Sequence, residues 1–344
     1  PYLVFGTDTL NKSSATSSKR DAFLAKYSSN GNVLWAKQSG NYGGNVFFEE
    51  LAIDASGNIY VSGWFTDTTY ILGTDTLPVN GTSEMFLAKF DGNGNPVWAK
   101  SAKGNNNEVA ISITLDLTGN PIITGYFSSD TLNFGATLLV NDTTAGFNDI
   151  FLAKYNSNGG LMWAKKAGGT GVDFATDITR DEAGNIYMTG EYNSRVITFG
   201  NFSLNRNTQI GNDIFIAKYD ASGNVLWLNG TGGSDVDASR SIAVDKYGNA
   251  YITAGFRSDT IIFGADTMYD ASTNATSTDM FIAKYNTNGN PVWAKNISGT
   301  GVEYGYEICT NTAGDIYVAG TYNSPNIYLG NDTLTHRGLG DFFV

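Results

Sequence analysis

The chain has one cysteine and one histidine among 344 residues. Cys309 alone allows no internal disulfide and no Cys-based metal site, and says nothing about compartment. His336, next to Arg337, would have to serve any Ser-His-Asp arrangement by itself. Basic residues are also scarce: 21 Lys+Arg against 33 Asp+Glu leave a net charge of -12. That balance argues against nucleic acid or an anionic membrane surface as partner, and suits cations or neutral glycans better. No apolar run approaches the roughly 18 residues of a membrane helix, so no direct membrane insertion is expected. Helical periodicity and capping boxes are missing throughout, and Pro is limited to 6 residues.

What the chain does have is a sentence written five times. It reads Asp21-Ala-Phe-Leu-Ala-Lys-Tyr27, a Gly-Asn turn, then Val33-Leu-Trp-Ala-Lys37, and it restarts near Glu84, Asp149, Asp213 and Asp279. Another copy begins at Asp341, 320 residues after Asp21, which gives five periods of about 64. Residues 1–20 and 341–344 are partial copies. Pro1–Leu10 aligns without a gap on Pro325–Leu334, so both ends fall inside a module and a longer parent protein is expected. A single domain over 1–344 is expected, because a repeat buries its apolar face only against a neighbour.

Each period carries two hairpin signatures. The first turns at Gly31, Gly94, Gly159, Gly223 and Gly289, where a left-handed residue is needed. The second pairs Glu50–Asp54 with Asn58–Phe65 and recurs in every period, with Gly63, Gly125, Gly190 and Gly320 in the returning strand read as sites of close approach by an adjacent sheet. Four strands per period, apolar on both faces, predict an all-β chain of the β-propeller type. Between the hairpins lies a patterned excursion, Leu72-Gly-Thr-Asp-Thr-Leu77 and its equivalents, read as an ordered extension whose flanks are the partner-contacting surface.

The pattern Asp-x-Phe-x-Ala-Lys-Tyr-x-x-x-Gly-Asn-x-x-Trp, followed by Ala-Ile/Val-Asp-x-x-Gly-Asn-x-Tyr-x-x-Gly, resembles the bacterial SBBP β-propeller repeat over all five periods. The resemblance implies a large secreted or surface-attached protein of the Bacteroidota type, with an adhesive role. It supplies no catalytic residue.

Candidate sites follow from the repeat. The turn acids Asp54, Asp116, Asp181 and Asp245 look like calcium loops but lack the distal Glu, so turn chemistry accounts for them. Trp35, Trp98, Trp163, Trp227 and Trp293 hold one strand position, which favours inter-blade packing over sugar stacking. Lys26, Lys89, Lys154, Lys218 and Lys284 are read as half-buried stems, with the hairpin-leading acids Asp21, Glu84, Asp149, Asp213 and Asp279 as partners. A second acidic set, Glu108, Asp173, Asp237 and Glu303 (Val46 in the first copy) with Glu50, Asp177 and Glu307, is placed at the mouth of a central channel. There it could bind Ca2+ or a basic ligand, or serve only as a solvated rim.

These acids are near-copies of one another, which favours a binding ring over an acid/base pair. The reading is a non-enzymatic, secreted or cell-surface scaffold or adhesion module, without a required cofactor, that binds a protein or glycan within a larger assembly. The alternative is a propeller-fold carbohydrate-active enzyme using channel carboxylates.

Overall fold

The computed structural model describes residues 2–12, 19–39, 44–66, 69–143, 146–206, 211–270, 277–329, 332–338 and 340–344. Pro1, Gly330 and Asn331 of the aligned end segments lie outside these. The described chain is all-β, and its four-stranded sheets have the β-propeller arrangement. Its contacts gather into two compact units, Pro1–Lys166 and Ala167–Val344. Contacts in a repeat array run only between neighbours, so such an array divides readily.

Sheets are offset from the sequence copies by half a period. In the first unit, Val46–Ile53, Ile59–Thr66, Ser83–Phe90 and Pro96–Lys100 lie side by side in that order. The inner two strands are thus the second hairpin of one copy, and the outer two are the first hairpin of the next. Glu108–Leu115, Pro121–Phe127, Asp149–Tyr155 and Leu161–Gly168 repeat this order. In the second unit, Asp173–Arg180 starts one complete sheet and Asp237–Val244 another, while Glu303–Thr310, Ile316–Tyr322 and Asp341–Phe343 make a sheet of three. Ala22–Tyr27 pairs with Val33–Ser39 as an outer hairpin alone. The excursions fold as ordered hairpins, such as Tyr70–Leu72 with Asp75–Leu77.

Sheets are apolar on both faces because both faces are packed. In the first unit Tyr60, Met85, Leu87 and Trp98 meet Ala110, Ile113, Ile123 and Phe151 of the next sheet. In the second, Tyr187, Ile214 and Ile216 meet Ile242, Ile252 and Phe281. The repeated tryptophans seal these contacts: Trp98 Nε1–H donates to the Ser157 carbonyl (3.2 Å) and Trp227 to that of Thr287 (3.1 Å). Those carbonyls belong to the turn of the neighbouring sheet. Gly94 illustrates why that turn needs glycine, since its φ is +76° and a Cβ would stand 2.8 Å from the Trp35 ring.

Every inner strand carries a β-bulge at the same place, between Phe48 and Glu50 and between Ala110 and Ser112, Ala175 and Asp177, Ser239 and Ser241, and Gly305 and Glu307. The glycines of the returning strand serve this bulge. A Cβ on Gly125 would sit 1.9 Å from the Val109 carbonyl oxygen, and one on Gly190 would sit 2.3 Å from that of Phe174. The closest backbone belongs to the partner strand of the same sheet, which corrects the expected approach of an adjacent sheet. The fourth copy has Ala254 there and shifts its glycine to Gly255. Gly125→Ala is expected to lower unfolding stability by about 1–3 kcal/mol through overpacking, measured as the urea midpoint. An unchanged midpoint would contradict this account of the bulge.

Candidate functional site

The repeated polar residues are consumed by the architecture. Asp54 Oδ1 accepts the amides of Ser56 and Asn58 at 2.9 Å, and its Oδ2 accepts the Asn58 side-chain amide. Asp116, Asp181 and Asp245 repeat this Asx geometry. Burial alone would raise these carboxyls, but the accepted hydrogen bonds hold Asp54, Asp116, Asp181 and Asp245 below the usual range.

Two of the lysines pair with these turn acids. Lys154 reaches Asp116 at 2.9 Å and Lys218 reaches Asp181 at 3.5 Å. Lys89 and Lys218 also donate to the Ser157 and Thr287 carbonyls. Their ammonium groups lie 5.0 and 4.7 Å from the ring centres of Tyr60 and Tyr187. Glu84 instead accepts the amides of Asn80 and Gly81, and Asp149 pairs with Lys166 at 3.2 Å. In these two copies the lysine leaves the third strand on the side that reaches its own sheet's turn.

The second acidic set divides in two. Glu108, Asp173, Asp237 and Glu303 are 0% exposed, so they do not form the open rim expected of them. Each accepts a hydroxyl hydrogen bond from a serine 21 residues on: Ser129, Ser194, Ser258 and Ser324. That bond ties the inner strand to the loop leaving the second strand. Val46 lacks the acid, and the residue 21 positions on is Asp67, so the first copy has lost both members together. This covariation was visible in the sequence.

Glu50, Asp177 and Glu307 lie on the bulged strand and work between sheets. Glu50 Oε2 accepts the amide of Ile113 at 2.8 Å and the Ser112 hydroxyl, both on the next sheet. Asp177 does the same with Ile242 (2.8 Å) and Ser241 (2.9 Å), and Ser241 also bonds to Glu307 at 3.1 Å. Among the described residues no group of three or more His, Cys, Asp or Glu could hold a metal ion.

Chemistry that is not copied gathers at the bulge. The bulged residue is Glu49, Ile111, Thr176, Arg240 or Tyr306, and the paired positions beside it are Phe47 with Trp64, Val109 with Tyr126, Phe174 with Glu191, Ala238 with Gly255 and Tyr304 with Thr321. In the first unit, Phe47 and Trp64 stack at 4.0 Å and 13°, the Trp64 indole N–H donates to Glu49 at 2.7 Å, and Arg20 stands 5.6 Å from the Phe47 ring centre. In the second, Arg240 lies 5.4 Å from the ring centre of Tyr304, which is 6.1 Å from that of the exposed Tyr306. Buried Glu191 is raised by burial, while the Asn212 amide (2.9 Å) and the Arg240 charge oppose that rise. A bulge re-aims side chains and is a common neighbour of functional sites. The reading of the repeat missed these residues because it searched for sameness; the signal was the loss of it at three aligned positions.

The buried acids make a pH prediction. Burial first, then the charge of Glu84, pushes Glu108 up to about 8 against the pull of Ser129; burial and the charge of Asp213 push Asp237 up to about 7. Folded chains therefore keep protons that unfolded chains release above the ordinary carboxyl range. This stability is complete below about pH 4 and is lost as pH rises through 7–8, at up to about 1.4 kcal/mol per pH unit for each group. The depressed turn acids act oppositely and lose their contribution at low pH. The urea midpoint is expected to peak near pH 5 and to fall towards pH 8, with a shallower fall in Glu108→Gln. A midpoint that rises from pH 5 to pH 8 would contradict the assignment.

The family model described as Beta-propeller repeat matches residues 163–194. This chain is similar to the Uncharacterized WD repeat-containing protein L264 of Acanthamoeba polyphaga mimivirus, at 25% identity over 87% of the chain and 27% of the relative. It is also similar to the Regulatory protein FlaEY of Caulobacter vibrioides, at 24% identity over 64% of the chain and 24% of that protein. The chain thus spans about a quarter of the length of these curated relatives. A crystal structure of a protein of unknown function from Bacteroides caccae aligns over 81% of this chain and 94% of its own, at 10% identity and a TM-score of 0.35. The family model and the sheet arrangement agree on a β-propeller repeat.

Proposed function

We propose that the chain is a non-enzymatic propeller scaffold whose bulge face binds a protein or glycan partner, within a secreted or cell-surface bacterial assembly. One observation carries this reading: the polar residues that repeat are tied into the sheets, whereas the residues around the bulge differ from copy to copy. The bulged position has no ladder partner and takes Glu, Ile, Thr, Arg or Tyr, so it is where a recognition surface can differ from copy to copy. The resemblance to SBBP repeats supports the surface assembly, and the net charge of -12 supports a neutral or cationic partner over an anionic one.

Catalysis by the seven acids is disfavoured by their surroundings. Four are fully buried on serines, and Glu50 and Asp177 hold backbone amides of the next sheet. A hydrolase needs one carboxyl free to protonate a leaving group and another facing the sugar. The test compares two assays on the same set of glycans, hydrolysis and direct binding by the intact chain. Binding without turnover is expected, with Tyr306→Ala weakening capture of the bound glycan while leaving the thermal midpoint in place. Turnover that disappears in Asp177→Asn would establish the enzymatic reading instead.

A further inference from the structure

Trp64 is the one tryptophan of six outside the repeated strand position. Its equivalents are Tyr126, Glu191, Gly255 and Thr321, so packing does not require an indole there. Three contacts set its plane. Phe47 stacks on it, Glu49 accepts its N–H, and the two strands place Phe47 and Trp64 directly opposite one another. Trp64 remains half-buried and Glu49 exposed, with Glu49 Oε2 carrying no protein hydrogen bond among the described residues.

We propose that Trp64 and Glu49 form a subsite for one pyranose ring of a neutral glycan, a proposal that rests on the bulge face being the binding surface. An indole held in a fixed plane offers the apolar C–H face of a sugar a flat surface at little entropic cost. A carboxylate beside it accepts hydroxyl hydrogens, and those charge-assisted bonds orient the ring. Other ligand classes fit less well. An anionic sugar meets Glu49 and the overall charge of -12. A cationic ligand would compete with Arg20, whose guanidinium already lies over the Phe47 end of the stack. Tyr126, raised by burial first and then by the Glu49 charge, stays a neutral hydroxyl near the same carboxylate. A neutral ring bearing several hydroxyls satisfies each of these conditions.

The probes are neutral gluco-, manno-, galacto- and xylo-oligosaccharides of six units, with an oligolysine peptide as the cationic arm, titrated calorimetrically into the intact chain. At least one oligosaccharide is expected to bind. Trp64→Ala is expected to weaken that binding at least about tenfold, Trp64→Phe to restore part of it, and Glu49→Gln to weaken it with an unchanged thermal midpoint. Binding that is equally strong in Trp64→Ala would overturn the subsite and leave the broader binding role standing. So would peptide binding that depends on Trp64. No heat from any oligosaccharide at millimolar concentration would overturn the neutral-glycan assignment, while capture that still depends on Tyr306 would keep the scaffold reading.

Discussion

Everything in this structure follows from packing sheets against sheets, which leaves almost no solvent at the polar groups caught between them. The sheet beginning at Asp237 shows the constraint, since apolar clusters lie on both sides of it within the second unit. A charge placed there must find partners inside the protein. Lys218 does so with the Asp181 carboxylate, the Tyr187 ring and the Thr287 carbonyl of the next sheet. The lysine thus joins a turn, a strand and a neighbouring sheet, and a repeat that changed one of these would leave the others unsatisfied. This explains why Ala-Lys-Tyr recurs with the Asp and Asn of the turn.

The buried carboxyls extend the same logic. Gly104 lies against one of them, since a Cβ on it would stand 2.3 Å from Glu108 Oε1. In the second unit a Cβ on Gly232 would stand 2.3 Å from Asp213 Oδ1, and the Gly233 amide donates to Asp237 at 2.7 Å. Two acids so enclosed cannot both be comfortably ionised, and the raised Glu108 and Asp237 express that conflict. Such a junction fixes the geometry of the loop at the cost of a dependence on pH.

Much of this was legible in the sequence, and the divisions are instructive. Repeats, turns and two-faced strands declared the fold, because glycine at positive φ and alternating apolar residues are local properties. The offset between sequence copy and sheet was not legible, since pairing Ile59–Thr66 with Ser83–Phe90 bridges an excursion that gives no sign of strand order. Burial of Glu108 was equally hidden: its partner Ser129 is distant in sequence, and an acid on an innermost strand looks like a channel residue until its serine is seen. Residues that vary between copies were visible all along, but variation acquires meaning only once the bulge shows that Glu49, Arg240 and Tyr306 occupy one structural position.

The bulge also explains how one architecture can hold a fixed scaffold and a variable surface. On the paired residues to either side of it, register binds each side chain to a partner strand and a neighbouring sheet. Glu50 and Asp177, next after the bulge, are held this way by amides of the following sheet. The bulged residue itself has no ladder partner, so its side chain can change without disturbing register. Among the described residues, Thr176 alone of the five hydrogen-bonds through its side chain to the next sheet, to Ser239 at 2.9 Å. Placed between two such constrained neighbours, Glu49 is exposed yet fixed in backbone position, the combination a binding residue requires. Substitution at this repeated position therefore changes the side chain presented while the lysine and carboxyl junctions keep the sheets together.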